Sequence, residues 1–222
     1  MKVRDRMAKD VITVDMDTSI TEAFRLMKEN RVRRLPVMEK GKLAGIVTLS
    51  DLNRAAPSSA TSLSIHELNY LLAKTKIKDI IPKNQQLFTV RPENYIETAA
   101  KIMRQNAVSG LPVVDHHGRL VGIITETDLF DALIDILGVK KPHSRIDIYV
   151  LDQQGGLAEV AQMVASKGIN ILNTVLYYEE KKGKYKIILR IEDLKCGPIL
   201  EELKNRGYEI ESVIIREFGD EC

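Results

Sequence analysis

The segment Gly45-Ile46-Val47-Thr48-Leu49-Ser50-Asp51-Leu52 returns 77 residues later as Gly122-Ile123-Ile124-Thr125-Glu126-Thr127-Asp128-Leu129. Working outward, Asn30 to Val37, NRVRRLPV, returns as Asn106 to Val113, NAVSGLPV, at a spacing of 76. Leu26-Met27 matches Ile102-Met103, and Thr13-Val14 matches Thr89-Val90, at the same spacing. One extra residue in the turn Asp115-His116-His117-Gly118 accounts for the change of offset. A pattern that keeps register through several elements, with its one insertion in a turn, is a duplicated structural unit.

Each copy predicts the same elements. Ser19-Ile20-Thr21-Glu22 is a capping-box pattern, and Asn94-Tyr95-Ile96-Glu97 resembles one with an Asn cap. Ala23, Leu26 and Met27 follow at helical spacing, as do Ala99, Ile102 and Met103. A short strand comes next, Leu35 to Met38 or Leu111 to Val114. A Gly-containing turn then leads to a second strand, Leu43 to Val47 or Leu120 to Ile124. A helix begins near Ser50 and near Thr127. One copy buries too little surface alone, so the two are expected to share a core. Pro57 to Ser64 reads as a linker, and Ile65 to Ala73, IHELNYLLA, as an extra helix between the copies.

The repeated Gly-x-x-Thr-x-x-Asp lies where a strand meets a helix. Helix N-termini present unpaired N–H groups and attract phosphate. Thr48 and Thr125 add hydroxyls there. The carboxylates of Asp51 and Asp128 accept several hydrogen bonds and suit the vicinal hydroxyls of a ribose. Gly45 and Gly122 leave room for a planar base against the strand. The alternative is purely architectural: Thr as N-cap and Asp in the first turn of the helix.

The pattern LPV, turn, strand, then GIVTLSDL or GIITETDL, resembles the CBS (cystathionine-β-synthase-type) repeat over roughly residues 3 to 136. Two such repeats form a Bateman module, packed as a pseudo-two-fold pair. The resemblance implies that Thr48, Asp51, Thr125 and Asp128 hold phosphate and ribose. It also implies that the residues at Pro36 and Pro112, with Gly110 and the two strand glycines, line the clefts. The implied ligand is AMP, ADP or ATP, with S-adenosylmethionine as a further member of the class. Arg33 and Arg34 become phosphate-side candidates in the first cleft. Ser109-Gly110 stands in their place in the second repeat, and Glu126 there opposes an anion. The two clefts are therefore expected to be unequal.

Beyond Pro142, the segment Ile146 to Leu151 alternates as a strand. Leu157 to Lys167 reads as a helix closed by Gly168. Strands follow at Ile169 to Tyr178 and Tyr185 to Glu192, then a helix at Pro198 to Asn205 and a strand at Glu209 to Arg216. The order is βαββαβ, a ferredoxin-like plan. Asp152-x-x-Gly155-x-Leu157, with Gly168-Ile169-Asn170-Ile171, resembles the ACT domain. That resemblance implies an amino-acid site drawing on Asp152, Gly155, Gly156, Leu157 and Asn170. Gln154 stands where that family often has Pro. A domain that only dimerises is the other reading. The CBS pair, the inter-repeat helix and the ACT domain together resemble the acetoin-utilisation accessory proteins.

The expected architecture is thus an α/β (α+β) chain. It has a CBS repeat at 1–56, a linker and helix at 57–74, a second repeat at 75–137 and an ACT domain at 145–216. The balance of 33 basic and 31 acidic residues gives no sign of a nucleic-acid or membrane partner. No apolar stretch has the character of a signal peptide or a membrane span, so a cytoplasmic protein is expected. Cys196 and Cys222 form no metal or disulfide pattern, and His66, His116, His117 and His143 read as surface-turn or near-linker residues. No nucleophile, P-loop or metal-ligand motif is present, so no enzyme and no metal are expected. The expected function is adenine-nucleotide sensing by a homodimer that controls a partner enzyme of unknown identity. The competing expectation is a constitutive scaffold with vestigial pockets.

Overall fold

The computed structural model describes residues 1–56, 65–82, 84–151 and 155–217. The expected linker Pro57 to Ser64, the turn residues Asp152, Gln153 and Gln154, and Cys222 lie outside the described residues. The chain divides into two compact units, Met1–Leu129 and Phe130–Cys222.

In the first unit, β1 (Val14–Asp15), α1 (Ile20–Glu29), β2 (Arg34–Glu39), β3 (Lys42–Thr48) and α2 (Leu49–Ala55) form the first repeat. β1 runs parallel to β2, and β2 pairs antiparallel with β3. Ser19 caps α1, its hydroxyl accepting the Glu22 N–H at 3.2 Å. The Glu22 carboxylate turns to Arg25 and does not close the box. Ile20, Ala23 and Met27 share one helix face and meet Leu35, Val37, Val47 and Leu52 in the core.

α3 (Ile65–Lys74) and α4 (Ile77–Ile80) connect the copies. The second repeat follows as α5 (Ile96–Asn106), β4 (Gly110–Val114), β5 (Leu120–Thr125) and the start of α6 (Glu126–Leu137). A parallel bridge between Val90 and Val113 stands where β1 pairs with β2. Asn94 does not cap α5. Its Oδ1 accepts the Arg91 N–H at 2.8 Å and closes a turn, and Tyr95 holds the N-cap position.

The leading segment of each copy packs on the other copy. Val3 N–H donates to Asn94 O at 2.8 Å, while Ala8 and Ile123 exchange main-chain bonds of 2.9 and 3.0 Å. Conversely, Ile77 belongs to the core of the first repeat, and its N–H donates to Thr18 O at 2.9 Å. This interlocking is how two short copies bury a sufficient core.

α1 and α5 both end in a left-handed residue that is not glycine, Arg31 with φ +54° and Ala107 with φ +51°. A Cβ is disfavoured there by about 1–2 kcal/mol, partly offset by the greater chain entropy of glycine. Ala107→Gly is expected to stabilise the protein by about 0.5–1 kcal/mol in urea unfolding. A loss of stability would refute this account of the helix end.

The second unit contains β6 (His143–Val150), α7 (Gly156–Ser166), β7 (Ile171–Glu179), β8 (Lys184–Ile191), α8 (Gly197–Asn205) and β9 (Glu209–Arg216). The antiparallel sheet has the order β7-β8-β6-β9, a βαββαβ plan of the ferredoxin-like kind. Ile146, Ile148 and Val150 alternate toward Val160, Met163 and Val164 of α7 and Ile199 and Leu203 of α8. Gly168 follows α7 with φ +68°, as its place in the sequence requires.

His143 corrects the reading of the histidines. It opens β6, is buried, and sets Nδ1 2.6 Å from Lys141 O. Pro142 marks a break in secondary structure, but the unit boundary falls inside α6. The end of that helix is tied to the second unit by Asn173 Nδ2, which donates to Ile136 O at 2.7 Å. Among the described residues, no cluster of three His, Cys, Asp or Glu side chains could hold a metal ion, and no helix is long and apolar enough to cross a membrane.

Candidate functional site

β3 delivers Thr48 directly to the N-terminus of α2. Thr48 N–H donates to Asp51 Oδ2 at 2.9 Å, Thr48 Oγ1 donates to the same oxygen at 2.6 Å, and Asp51 N–H donates to Thr48 Oγ1 at 3.2 Å. The pair is thus a reciprocal capping box, the architectural alternative raised by the sequence. The box occupies only one carboxylate oxygen. Oδ1 of Asp51 makes no hydrogen bond among the described residues, so the same residue can cap the helix and accept from a ligand.

Asp51 lines a cavity of about 300 Å³. From the first repeat it is lined by Ile46, Thr48, Ser50, Asp51 and Arg54. Gln85, Gln86 and Phe88 line it from the leading segment of the second repeat, and Val108, Gly110 and Pro112 from farther along that repeat. Alternation along the strand explains this crossing. Leu35 and Val37 belong to the core of their own repeat, and their counterparts Leu111 and Val113 are likewise fully buried. The intervening residues therefore point across to the other copy. Gly110 and Pro112 join Thr48 and Asp51 for this reason.

The same rule bears on where the arginines lie. The sequence suggests Arg33 and Arg34 beside Thr48 and Asp51. Arg33 is exposed. Arg34 pairs with Thr48 through the backbone, but its side chain crosses to the second repeat, where Nη2 donates to Ser109 Oγ at 2.7 Å. Burial pulls its pKa below the ordinary arginine value, opposed by the charges of Glu126 and Asp128. Its guanidinium lies where a Cβ on Gly110 would stand, 1.8 Å away. Arg34 is thus a half-buried cation within electrostatic reach of the acids of the second repeat.

Thr125 and Asp128 repeat part of the cap geometry, with Thr125 N–H and Oγ1 each 2.7 Å from Asp128 Oδ2. The surroundings differ. Leu49 of the first repeat is matched by Glu126, and Arg54 by Asp131, 77 residues on. The second copy is accordingly the more acidic.

Gln85, Gln86, Phe88 and Arg54 are lining residues that motif reading does not reach. Gln85 carries the most information. Its Oε1 accepts the Ile46 N–H and its Nε2 donates to Ile46 O, both at 2.9 Å. It lies over Gly45, where an added Cβ would come within 2.9 Å of Oε1. The only available signal is its place in the leading segment of the second repeat, 77 residues after Ala8.

In the second unit, Gly155 (φ +94°) turns the chain into α7, and Gly156 is buried against Val150. Leu157 is exposed. Gly156 lines a cleft of about 220 Å³ with Tyr149, Glu159, Lys184, Arg206 and Tyr208 among others. Arg206 Nη1 donates to Glu159 at 3.2 Å. Burial, then the bond to Glu159, pushes the Tyr208 hydroxyl up to about 12. Asn170 does not line this cleft; its Nδ2 donates to Glu192 at 3.0 Å. Asp152 lies outside the described residues.

Comparison with known proteins bears on this arrangement. A family model described as the CBS domain matches residues 3–58 and 77–135. A CBS domain-containing protein of Dictyostelium discoideum is 35% identical over 143 residues, which is 64% of this chain and 97% of that protein. Among solved structures, a chain from Vibrio cholerae that carries the name acetoin utilization protein is 28% identical, with a TM-score of 0.51 over 63% of this chain and 95% of that one. The CBS domain of a CBS domain-containing membrane protein from Sphaerobacter thermophilus is 26% identical, with a TM-score of 0.52 over 59% of this chain and 86% of that one.

Proposed function

The chain belongs to the CBS domain family, and from that premise we propose that it is a regulatory sensor of an adenine nucleotide, without a catalytic centre of its own. The observation that carries this reading is the cavity between the repeats, lined by Asp51, whose cap uses only Oδ2, and by Thr48 and Ser50 at the start of α2. Asp51 accepts from the ribose hydroxyls. Thr48, Ser50 and the first turn of α2 meet phosphate, with Arg54 one turn further on as the cation. The apolar side of Ile46, Phe88, Val108 and Pro112 takes the base. AMP, ADP and ATP fit this chemistry, and S-adenosylmethionine shares the adenosine part. In this reading Thr125 and Asp128 serve the fold of the second repeat more than the ligand.

The remaining parts of the reading are functional divisions of the chain. Residues 1–56 and 75–137 act as the two repeats, with 57–74 between them. Residues 145–216 act as an ACT domain, whose βαββαβ plan supports that reading, and whose cleft at Gly156 takes a small amino acid. Ligand binding biases two conformations of a cytoplasmic homodimer and so controls a partner enzyme. A place in acetoin utilisation is supported by the likeness to the Vibrio cholerae protein.

Thermal melts of the full chain with AMP, ADP, ATP and S-adenosylmethionine test the sensor. At about 100 times Kd a ligand adds about 2.7 kcal/mol to the folded state, which raises Tm by about 5 °C or more. Unchanged melts with all four would leave the scaffold as the function.

A further inference from the structure

Pro36 pairs with Ile46 in the first repeat, and Pro112 pairs with Ile123 in the second. Proline has no N–H to give, so these are the non-hydrogen-bonded positions of each ladder. Ile46 and Ile123 therefore turn an N–H and a C=O outward, toward the leading segment of the other copy. A buried edge of this kind needs one acceptor and one donor side by side.

The two copies meet that need differently. At Ile123 the partner is main chain: Ala8 N–H donates to Ile123 O at 2.9 Å, and Ile123 N–H donates to Ala8 O at 3.0 Å. At Ile46 the partner is the carboxamide of Gln85, with both bonds at 2.9 Å. A main-chain bridge opens only if its segment peels away, and here Met7 and Ala8 are also packed on Gly122. A carboxamide needs only side-chain rotation, and Gln85 lines the cavity into which it could turn.

We propose that Gln85 is a displaceable latch on the first cleft, holding the Ile46 edge until a nucleobase with an adjacent acceptor and donor takes its place. This rests on the sensor reading above, in which the base is adenine and the matching edge is N1 with the N6 amino group. Gly45 leaves the space over the strand that the amide fills when the cleft is empty. The second repeat has no latch, and its Ile123 edge stays closed. Gln85 thus decides which cleft opens, and ligand must compete with it. Apparent affinity is reduced by the fraction of molecules with the latch shut.

The test is calorimetric titration of the full chain with AMP, alongside NMR of the Gln85 side-chain amide. Gln85→Ala is expected to bind AMP about threefold to tenfold more tightly than wild type, as two neutral hydrogen bonds cease to compete. Saturating AMP should move the Gln85 amide resonances of the wild-type protein, a result that needs no variant to fold. N6,N6-dimethyl-AMP, which lacks the donor, should bind wild type at least tenfold more weakly than AMP. If AMP binds wild type but Gln85→Ala binds it equally or more weakly, or the amide resonances stay put, the latch is wrong and the sensor stands. If AMP, ADP, ATP and S-adenosylmethionine all fail to bind wild type, the sensor fails and the latch with it.

Discussion

Asp51→Ala is expected to weaken AMP binding by about 100-fold, whereas Asp128→Ala weakens it by less than about threefold. A factor of 100 is about 2.7 kcal/mol, within the range for hydrogen bonds to a charged group. The two aspartates are matched in their helix-capping role, since each accepts from the N–H and hydroxyl of the threonine three residues before it. Each variant should therefore lose about 1 kcal/mol of stability with its cap. They differ in what lies beyond the cap. Asp51 lines a cavity, while Asp128 lies within electrostatic reach of the half-buried guanidinium of Arg34. Comparable melting temperatures with divergent affinities are the expected signature, read by differential scanning fluorimetry and calorimetric titration. Equal losses of affinity in both variants would mean two equivalent sites and would overturn the inequality of the clefts.

The largest loss of stability is expected from Asp147→Ala, about 3–5 kcal/mol. Asp147 is 2% exposed and sits on the sheet face away from α7 and α8. It accepts a two-pronged bond from Arg145, with both distances 2.7 Å, and lies 3.6 Å from Lys186. Arg145 stands directly opposite Arg190 across the β6–β8 ladder, a like-charge pair that opposes folding. Arg190 is 4% exposed, and its Nε has no hydrogen-bond partner among the described residues. Burial and then Arg145 pull its pKa below the ordinary arginine value, while Asp147 acts in the other direction. Lys186 keeps its ion pair with Glu211, but removing the carboxylate leaves Arg145 and Arg190 with no buried counter-charge among the described residues, the situation in which breaking a buried pair is most costly.

Hydrogen exchange of the β6 and β8 amides isolates the effect in the second unit, where loss of protection is expected. A change below about 1 kcal/mol would show that the cations are solvated in solution. Arg190→Met provides the opposite sign. It removes the unpaired Nε, at the cost only of the long 3.4 Å bond from Nη1 to Asn173 Oδ1, and should raise stability by about 1 kcal/mol.

The duplication, the order of elements and the two Thr-x-x-Asp turns are legible in the linear chain because they depend on local chemistry. The capping residues, the alternation of strands and the terminating glycine at Gly168 act within a few neighbours, and the 76- and 77-residue offsets carry them from one copy to the other. The exceptions are also local competitions. Asn94 finds the Arg91 N–H before it finds the helix, and His143 is drawn into β6 by pairing with β9.

Only the tertiary structure decided which residues share a cleft. Side chains alternate across a strand, and each leading segment packs on the opposite copy, so cross-strand partners such as Arg34 and Thr48 find different polar partners, Ser109 and Asp51, while Thr48, Gln85 and Gly110 line one cavity. No periodicity encodes that exchange. It follows from two copies burying their apolar faces against each other, an energy that belongs to the folded pair and to neither segment alone.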